Sequence, residues 1–187
     1  MTAEEISLRV VEILNEHQIP YMLVGSLSTN FHSTVRSTKD ADIVISTNLG
    51  ETARLIAREF DLLRLDPQFG FKSVTATKKL ILRATEGEGF IVELFGQSDD
   101  AHDQERFRRR KCVDWLGRPA WIASAEDAVV TKLRWAHSVG REKDIGDVRN
   151  VIAIKGDSLD WAYIEQWCNV HGSRQLLDKL RDELRRL

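Results

Sequence analysis

The 187-residue chain is predicted to be an α/β protein of the α+β kind, with a small mixed β-sheet flanked by helices and a C-terminal helical lobe. Short apolar runs bounded by turn residues, such as Tyr21–Val24 and Asp40–Ser46, are typical of buried strands. Segments with apolar residues at helical spacing lie between these runs, and after Ser124 helical spacing is the only pattern. We therefore expect an α/β domain over residues 1–123 and a helical lobe over residues 124–187.

The composition is that of a globular protein. Hydrophobic residues make up 42% of the chain, charged residues make up 30%, and the net charge is −2, so the chain lacks the basic field of a dedicated nucleic-acid-binding protein. No apolar run approaches the roughly 18 residues that a transmembrane helix needs. The first residues, MTAEEISLRVVEIL, carry glutamates where a signal peptide needs a basic start and an apolar centre. A reduced cytoplasmic protein with no membrane partner is the expectation.

The N-terminal half is predicted to alternate between helices and strands. Thr2 and Glu5 have the spacing of a capping box, which predicts a helix that ends near His17. The elements that follow are predicted to be strand Tyr21–Val24, helix Ser26–His32, strand Asp40–Ser46 and a helix from Asn48 to Phe60.

The middle of the chain is predicted to form short strands, and the last third to form helices. The candidate strands are Phe71–Thr77, Leu80–Ala84 and Phe90–Phe95, with a turn at Glu86–Gly89, followed by a hairpin of Lys111–Trp115 and Pro119–Ile122. Ser124 and Asp127 suit the start of a helix. The predicted helices are Ala125–His137, Arg141–Lys155, Asp160–His171 and Ser173–Arg186.

Two aspartates with one residue between them, Asp40 and Asp42, stand at the start of the second strand. Residues i and i+2 of a strand share a face and lie roughly 7 Å apart. Such a pair can bind Mg²⁺, which prefers carboxylate and phosphate oxygens. Gly25 and Ser26 form a strand-to-helix corner upstream, and free N–H groups at a helix start can face a phosphate. The alternative interpretation of the pair is a polar strand end.

A third acid, Glu93, lies inside the apolar strand Phe90–Phe95, where an unpaired carboxylate would be costly. Three acids at strand positions favour a site for one or two metal ions. Asp99, Asp100 and Asp103 are alternative third acids, but we place them in a polar loop.

The segments Gly25-Ser26, Arg36-Ser37-Thr38 and Asp40-Ala41-Asp42 resemble the signature of the DNA polymerase β-like nucleotidyltransferase superfamily. In that signature a Gly-Ser turn and a short helix precede Asp-x-Asp, and a third acid follows on a later strand. The form Arg-x-Thr-x-Asp-x-Asp is similar to a small bacterial branch that includes AbiEii-type toxins. Lys132 and the segment Arg141–Asp147 are similar to the helical segment of that branch. The resemblance covers about residues 10–170.

The resemblance implies a role for each matched residue. Asp40 and Asp42 would hold Mg²⁺ (or Mn²⁺) at the triphosphate of an NTP substrate, and Glu93 would complete the metal site facing the acceptor. The third acid is usually Asp in this superfamily, so Glu93 is a departure. The implied nucleotide-binding residues are Gly25, Ser26, Arg36, Thr38, Lys132 and Asp144.

The implied activity is Mg²⁺-dependent transfer of an NMP group from an NTP to a hydroxyl or phosphate acceptor. RNA (including tRNA), a protein and a small molecule remain open as acceptors. A toxin of a toxin–antitoxin pair is one role that the branch implies, with an antitoxin protein as partner. Two other functions stay open: a catalytically silent nucleotide-binding or regulatory protein that retains the fold, and a nucleic-acid-binding adaptor that uses the basic run Arg106–Lys111.

Overall fold

The structure of the protein is a computed structural model that describes residues 2–72, 74–86 and 89–186. The chain divides into two compact units. The first unit runs to Leu27 and resumes from Ser37 to Ala123, and the second combines Ser28–Arg36 with the chain from Ser124 onward. No helix among the described residues is long and apolar enough to cross a membrane.

Helices and strands are interspersed in the first part of the chain. In chain order the elements are α1 (Ala3–Glu16), β1 (Tyr21–Val24), α2 (Gly25–His32), β2 (Asp40–Ile45), α3 (Leu49–Glu59), β3 (Leu63–Lys72), β4 (Thr77–Ala84), β5 (Ile91–Gly96), α4 (Ala101–Arg108), β6 (Lys111–Trp115) and β7 (Arg118–Ile122). The predicted capping box is present at α1, because the backbone N–H of Glu5 donates to Thr2 Oγ1 and the backbone N–H of Thr2 donates to Glu5 Oε2.

Seven strands of the described chain form one mixed sheet, in the order β3-β4-β5-β2-β1-β7-β6. β2 is a central strand that runs parallel to β5 and antiparallel to β1. The backbone groups of β2 therefore have hydrogen-bond partners on both sides. Its side chains project alternately to the two faces of the sheet and set the chemical character of each face.

One face of the central strands belongs to the main hydrophobic core. Ala41, Ile43 and Leu94 are completely buried there, together with apolar residues of α1 and α3. The opposite face carries a smaller apolar cluster, in which Val44 and Phe95 pack with Phe107 of α4. The second face is therefore apolar at one end of β2 and β5, and it is acidic at the other end, as described below.

The second unit is helical after residue 124. Its elements are α5 (Ala125–Val139), α6 (Glu142–Lys155), a 3₁₀ turn at Gly156–Ser158, α7 (Trp161–Val170) and α8 (Arg174–Leu184). Ser124 begins α5 as predicted, because its Oγ accepts a hydrogen bond from the backbone N–H of Asp127 at 3.1 Å. The apolar faces of these helices form a separate core that includes Val129, Leu133 and Ile164.

The predicted α/β fold class and the helical C-terminal lobe are confirmed. The strand predicted at Phe71–Thr77 is wrong, because β3 ends at Lys72 and β4 begins at Thr77. β3 is an edge strand whose apolar and polar residues alternate, but Pro67 and the register shift between Leu65 and Phe69 interrupt the pattern in its middle. Residue 73 and two residues of the predicted turn Glu86–Gly89 lie outside the described residues.

The polar loop predicted around Asp99, Asp100 and Asp103 is wrong in part, because α4 begins at Ala101. Its charged residues outnumber its apolar ones, so helical periodicity is hard to detect there. Asp100 begins this helix by accepting hydrogen bonds from the backbone N–H groups of His102 and Asp103, both at 3.1 Å.

Candidate active site

β2 begins with two aspartates that share one face of the sheet. Asp40 and Asp42 are partly buried, whereas Ala41 between them is completely buried on the opposite face. Thr38 precedes the strand, and its hydroxyl donates to Asp40 Oδ1 at 2.6 Å. This bond holds the Asp40 carboxylate in a defined orientation. The structure thus places Thr38, one of the predicted site residues, against an acid rather than in open solvent.

The third predicted acid lies beside this pair. β5 runs parallel to β2, and Glu93 stands at the same register as Asp42, while Ile91 stands at the register of Asp40. Residues at the same register of neighbouring strands project to the same side, so all three carboxylates belong to one face. This is the face on which β2 and β5 carry the smaller apolar cluster.

Gly25 occupies the corner between β1 and α2 and touches the acid pair. Its φ of +61° is in the left-handed region, and a Cβ built on it would lie 2.0 Å from Asp42 Oδ2. A glycine is therefore required for two reasons: the backbone conformation and the space that the Asp42 carboxylate occupies. Ser26 follows as the second residue of α2 and is nearly buried, at 9% exposure. Gly25 thus lies against Asp42, and Ser26 is its neighbour in the chain.

Sequence reasoning missed one residue of this face, Lys79. Its Nζ donates to Glu93 Oε1 at 2.7 Å, and both side chains are largely buried. In the β4–β5 register Ile81 is opposite Glu93, so Lys79 is its diagonal neighbour on the same face, within reach of a long side chain. A charged residue at an alternating strand position was a usable signal, but the misplaced strand boundary at Thr77 concealed it.

The donor set fits a divalent cation at the two aspartates. Asp40 and Asp42 supply oxygen donors on one face, and oxygen donors are what Mg²⁺ prefers. Among the described residues, no three acidic, histidine or cysteine side chains are grouped so that they could hold a metal ion. Glu93 is engaged by Lys79 instead.

The other predicted binding residues form an ion network in the second unit. Arg36 reaches both carboxylate oxygens of Asp147, with its Nε and Nη2 each at 2.9 Å. Lys132 Nζ lies 2.7 Å from Asp147 Oδ2 and 3.0 Å from Asp144 Oδ1. Arg141 Nε lies 3.3 Å from the second oxygen of Asp144. These contacts tie segment Ser28–Arg36 to α5 and α6.

The cations around Asp147 lower the pKa of its carboxyl group. Burial raises the pKa of Asp147, but the hydrogen bonds from Arg36 and Lys132 outweigh that effect, so the pKa lies below its ordinary value. Helical spacing puts Lys143 one turn away from Asp147 on α6, in the position of an ordinary ion-pair partner. The Asp147 carboxylate is held instead by two cations that are distant in sequence, which helical spacing alone does not reveal.

The alternative third acids have other partners. Asp100 caps α4, and the carboxylate of Asp103 accepts from the Ser98 hydroxyl at 2.5 Å and pairs with Arg106 Nε at 2.9 Å. Arg106 is therefore buried in an ion pair, although the sequence places it in an exposed basic run. Arg110 of the same run packs its guanidinium 4.2 Å from the centre of the Phe107 ring. At least Arg106 and Arg110 of the basic run Arg106–Lys111 therefore make stabilising contacts within the fold.

The fold is shared with several solved structures. The antibiotic-resistance factor ANT(2'')-Ia aligns over 96% of this chain and 96% of its own, with a TM-score of 0.66 and 13% identity. An antigenic nucleotidyltransferase-like protein from Paracoccidioides brasiliensis aligns over 95% of this chain and 91% of its own, with a TM-score of 0.57 and 19% identity. The lincosamide antibiotic adenylyltransferase LnuA, bound to lincomycin, aligns over 80% and 96%, with a TM-score of 0.51 and 14% identity.

At the level of sequence, no protein-family model and no curated protein matches the chain. The similarity to the solved structures is therefore a similarity of backbone, extending over nearly the whole chain in the first two of them. The chain has the nucleotidyltransferase fold.

Proposed function

We propose that this protein is a Mg²⁺-dependent nucleotidyltransferase that transfers an NMP group from an NTP to an acceptor. One observation carries the proposal: Asp40 and Asp42 share a face of β2, with Glu93 at the register of Asp42 and the backbone of Gly25 against the Asp42 carboxylate. Like charges brought together on a sheet face repel each other, so this arrangement is costly unless a cation binds there. The nucleotidyltransferase fold supports the same reaction class.

In the reaction, an acceptor oxygen attacks the α-phosphorus of the NTP and forms a new P–O bond. The bond from that phosphorus to the oxygen bridging to the β-phosphate breaks, and pyrophosphate leaves. A bound Mg²⁺ would be held by Asp40 and Asp42 and would neutralise charge on the triphosphate. Glu93, which shares this face, would accept the proton of the acceptor, and Thr38 would keep Asp40 oriented.

We propose a small-molecule hydroxyl as the first acceptor class to test. Two of the proteins with the same fold act on or bind such molecules: LnuA is a lincosamide adenylyltransferase, and ANT(2'')-Ia has been crystallised with adenylyl-2''-tobramycin. RNA and protein acceptors belong in the same assay, because the resemblance to the toxin branch implies them.

A second candidate is a nucleotide-binding protein that does not catalyse transfer. The ion pair between Lys79 and Glu93 favours it, because a carboxylate held by an ammonium is less available to an acceptor proton. The two candidates make the same prediction for nucleotide binding and opposite predictions for transfer.

The deciding experiment incubates the protein and Mg²⁺ with NTPs radiolabelled at the α-phosphate, together with aminoglycosides, lincosamides, total RNA or a protein lysate. We expect label in one acceptor pool, and Asp42→Asn should lower the rate by at least about 100-fold, since the metal contributes several kcal/mol. Asp61→Asn, in an exposed turn, is the matched control and should leave the rate unchanged. Nucleotide binding without transfer to any pool would reject the enzyme in favour of the second candidate.

A further inference from the structure

We propose that Lys79 is a positioning residue of this site, and that its ammonium group, rather than a second divalent ion, is the cation that Glu93 holds. The inference rests on the proposed function and deepens it. It means that one divalent ion, at Asp40 and Asp42, is sufficient for this chain.

The geometry of the contact is the first argument. Lys79 Nζ lies 2.7 Å from Glu93 Oε1, which is a charge-assisted hydrogen bond at the short end of the usual range. The exposed fractions of the two side chains are 25% and 17%, so the pair is shielded on most sides. A contact of this kind is worth more than a surface ion pair, because less water competes for either partner.

The strands on either side make room for Lys79. Gly70 of β3 stands at the register of Lys79, and a Cβ built on Gly70 would lie 3.2 Å from Lys79 Cε. The absence of a side chain at Gly70 therefore leaves space along which the lysine stem can lie. The space at Gly70 on β3 and the diagonal register to Glu93 on β5 both suit an ammonium directed towards Glu93.

A second metal ion and the ammonium group of Lys79 would compete for the same carboxylate oxygen of Glu93. A divalent ion at Glu93 would have to displace the ammonium of Lys79 into solvent. Glu93 has a longer side chain than aspartate and more rotamer freedom, and the bond from Lys79 restricts that freedom. The lysine therefore fixes the carboxylate that faces the acceptor without a metal ion.

The experiment counts metal ions directly. Mn²⁺ is titrated into the protein in the presence of a methylene-bridged analogue of each NTP, and free Mn²⁺ is measured by electron paramagnetic resonance. The variants are Lys79→Met, Lys79→Arg and the double variant of Lys79→Met with Glu93→Gln. Lys78→Met is the matched control, because Lys78 is adjacent in sequence, points to the other face and is exposed.

We expect one Mn²⁺ per chain for the wild type, Lys79→Arg and Lys78→Met, and two for Lys79→Met. The double variant should return to one, because the additional ion needs Glu93. We also expect Lys79→Met to lower kcat by roughly 10- to 100-fold while the KM for the NTP changes little, because the carboxylate that faces the acceptor loses the group that orients it.

Two Mn²⁺ ions in the wild type, or one in Lys79→Met with an unchanged kcat, would overturn the role of Lys79 while leaving nucleotidyl transfer intact. A wild-type chain that binds no Mn²⁺ with any analogue and transfers no label would instead overturn the proposed function itself, and the inference with it.

Discussion

Replacement of Gly25 by alanine tests the most constrained point of the site. The φ of +61° costs a residue with a Cβ about 1–2 kcal/mol. The new Cβ would also lie 2.0 Å from Asp42 Oδ2 and 2.9 Å from Asp42 Cγ, so the carboxylate or the backbone must shift. Such crowding costs roughly 1–3 kcal/mol. We therefore expect Gly25→Ala to lose about 2–5 kcal/mol of unfolding free energy in urea denaturation.

The variant Gly117→Ala is a matched control that separates backbone strain from the steric clash with Asp42. Gly117 in the β6–β7 turn has a φ of +80°, and nothing lies within 4 Å of a Cβ built there. Gly117→Ala should show the strain alone, about 1–2 kcal/mol. In an Asp42→Ala background, Gly25→Ala should cost no more than this control, because the colliding carboxylate is gone.

Gly25→Ala should also weaken the binding of Mn²⁺ together with a nucleotide analogue. The new methyl group displaces the Asp42 carboxylate, which is a proposed metal ligand. Isothermal titration with the methylene-bridged NTP analogues measures this loss, and the Gly117→Ala protein should bind as the wild type does. If Gly25→Ala were no less stable than Gly117→Ala and bound nucleotide normally, the contact between Gly25 and Asp42 would not have the role assigned to it.

Three further predictions concern single contacts. Thr38→Val removes the hydroxyl that orients Asp40, so Mn²⁺ affinity in the same titration should fall roughly 10- to 100-fold with little change in stability. Tyr163→Phe removes a 2.6 Å hydrogen bond to Asp127, which is 0% exposed, and should cost about 1.5–3 kcal/mol in urea denaturation; no loss would mean that the hydroxyl is dispensable. Asp147→Asn should cost roughly 3 kcal/mol at neutral pH, because it leaves Lys132 poorly paired. Since the folded pKa of Asp147 is lowered, its contribution is complete above the unfolded pKa of about 3.9 and is lost as the pH falls through the folded value. The wild type and Asp147→Asn should therefore converge in stability below about pH 4, and a difference that stays constant to pH 2 would contradict this sign.

Much of the site was predictable because its residues are close together in the chain. Gly25, Ser26 and the pair Asp40 and Asp42 belong to one strand–helix–strand segment, so the period of two residues in a strand puts both aspartates on one face. Glu93 was detectable because a carboxylate inside an apolar strand is costly without a partner. Local pattern thus predicted the fold class and the three acids.

The partners of these charges were decided only by the tertiary structure. The contact of Lys79 with Glu93 depends on the register of two antiparallel strands, and a shift of one residue would send the lysine to the opposite face. Asp147 is held by Arg36, which is 111 residues away in the chain, rather than by its helical neighbour Lys143. Sequence spacing indicates which charges need partners, whereas the partners themselves are set by strand register and helix packing, which bring together residues far apart in the chain.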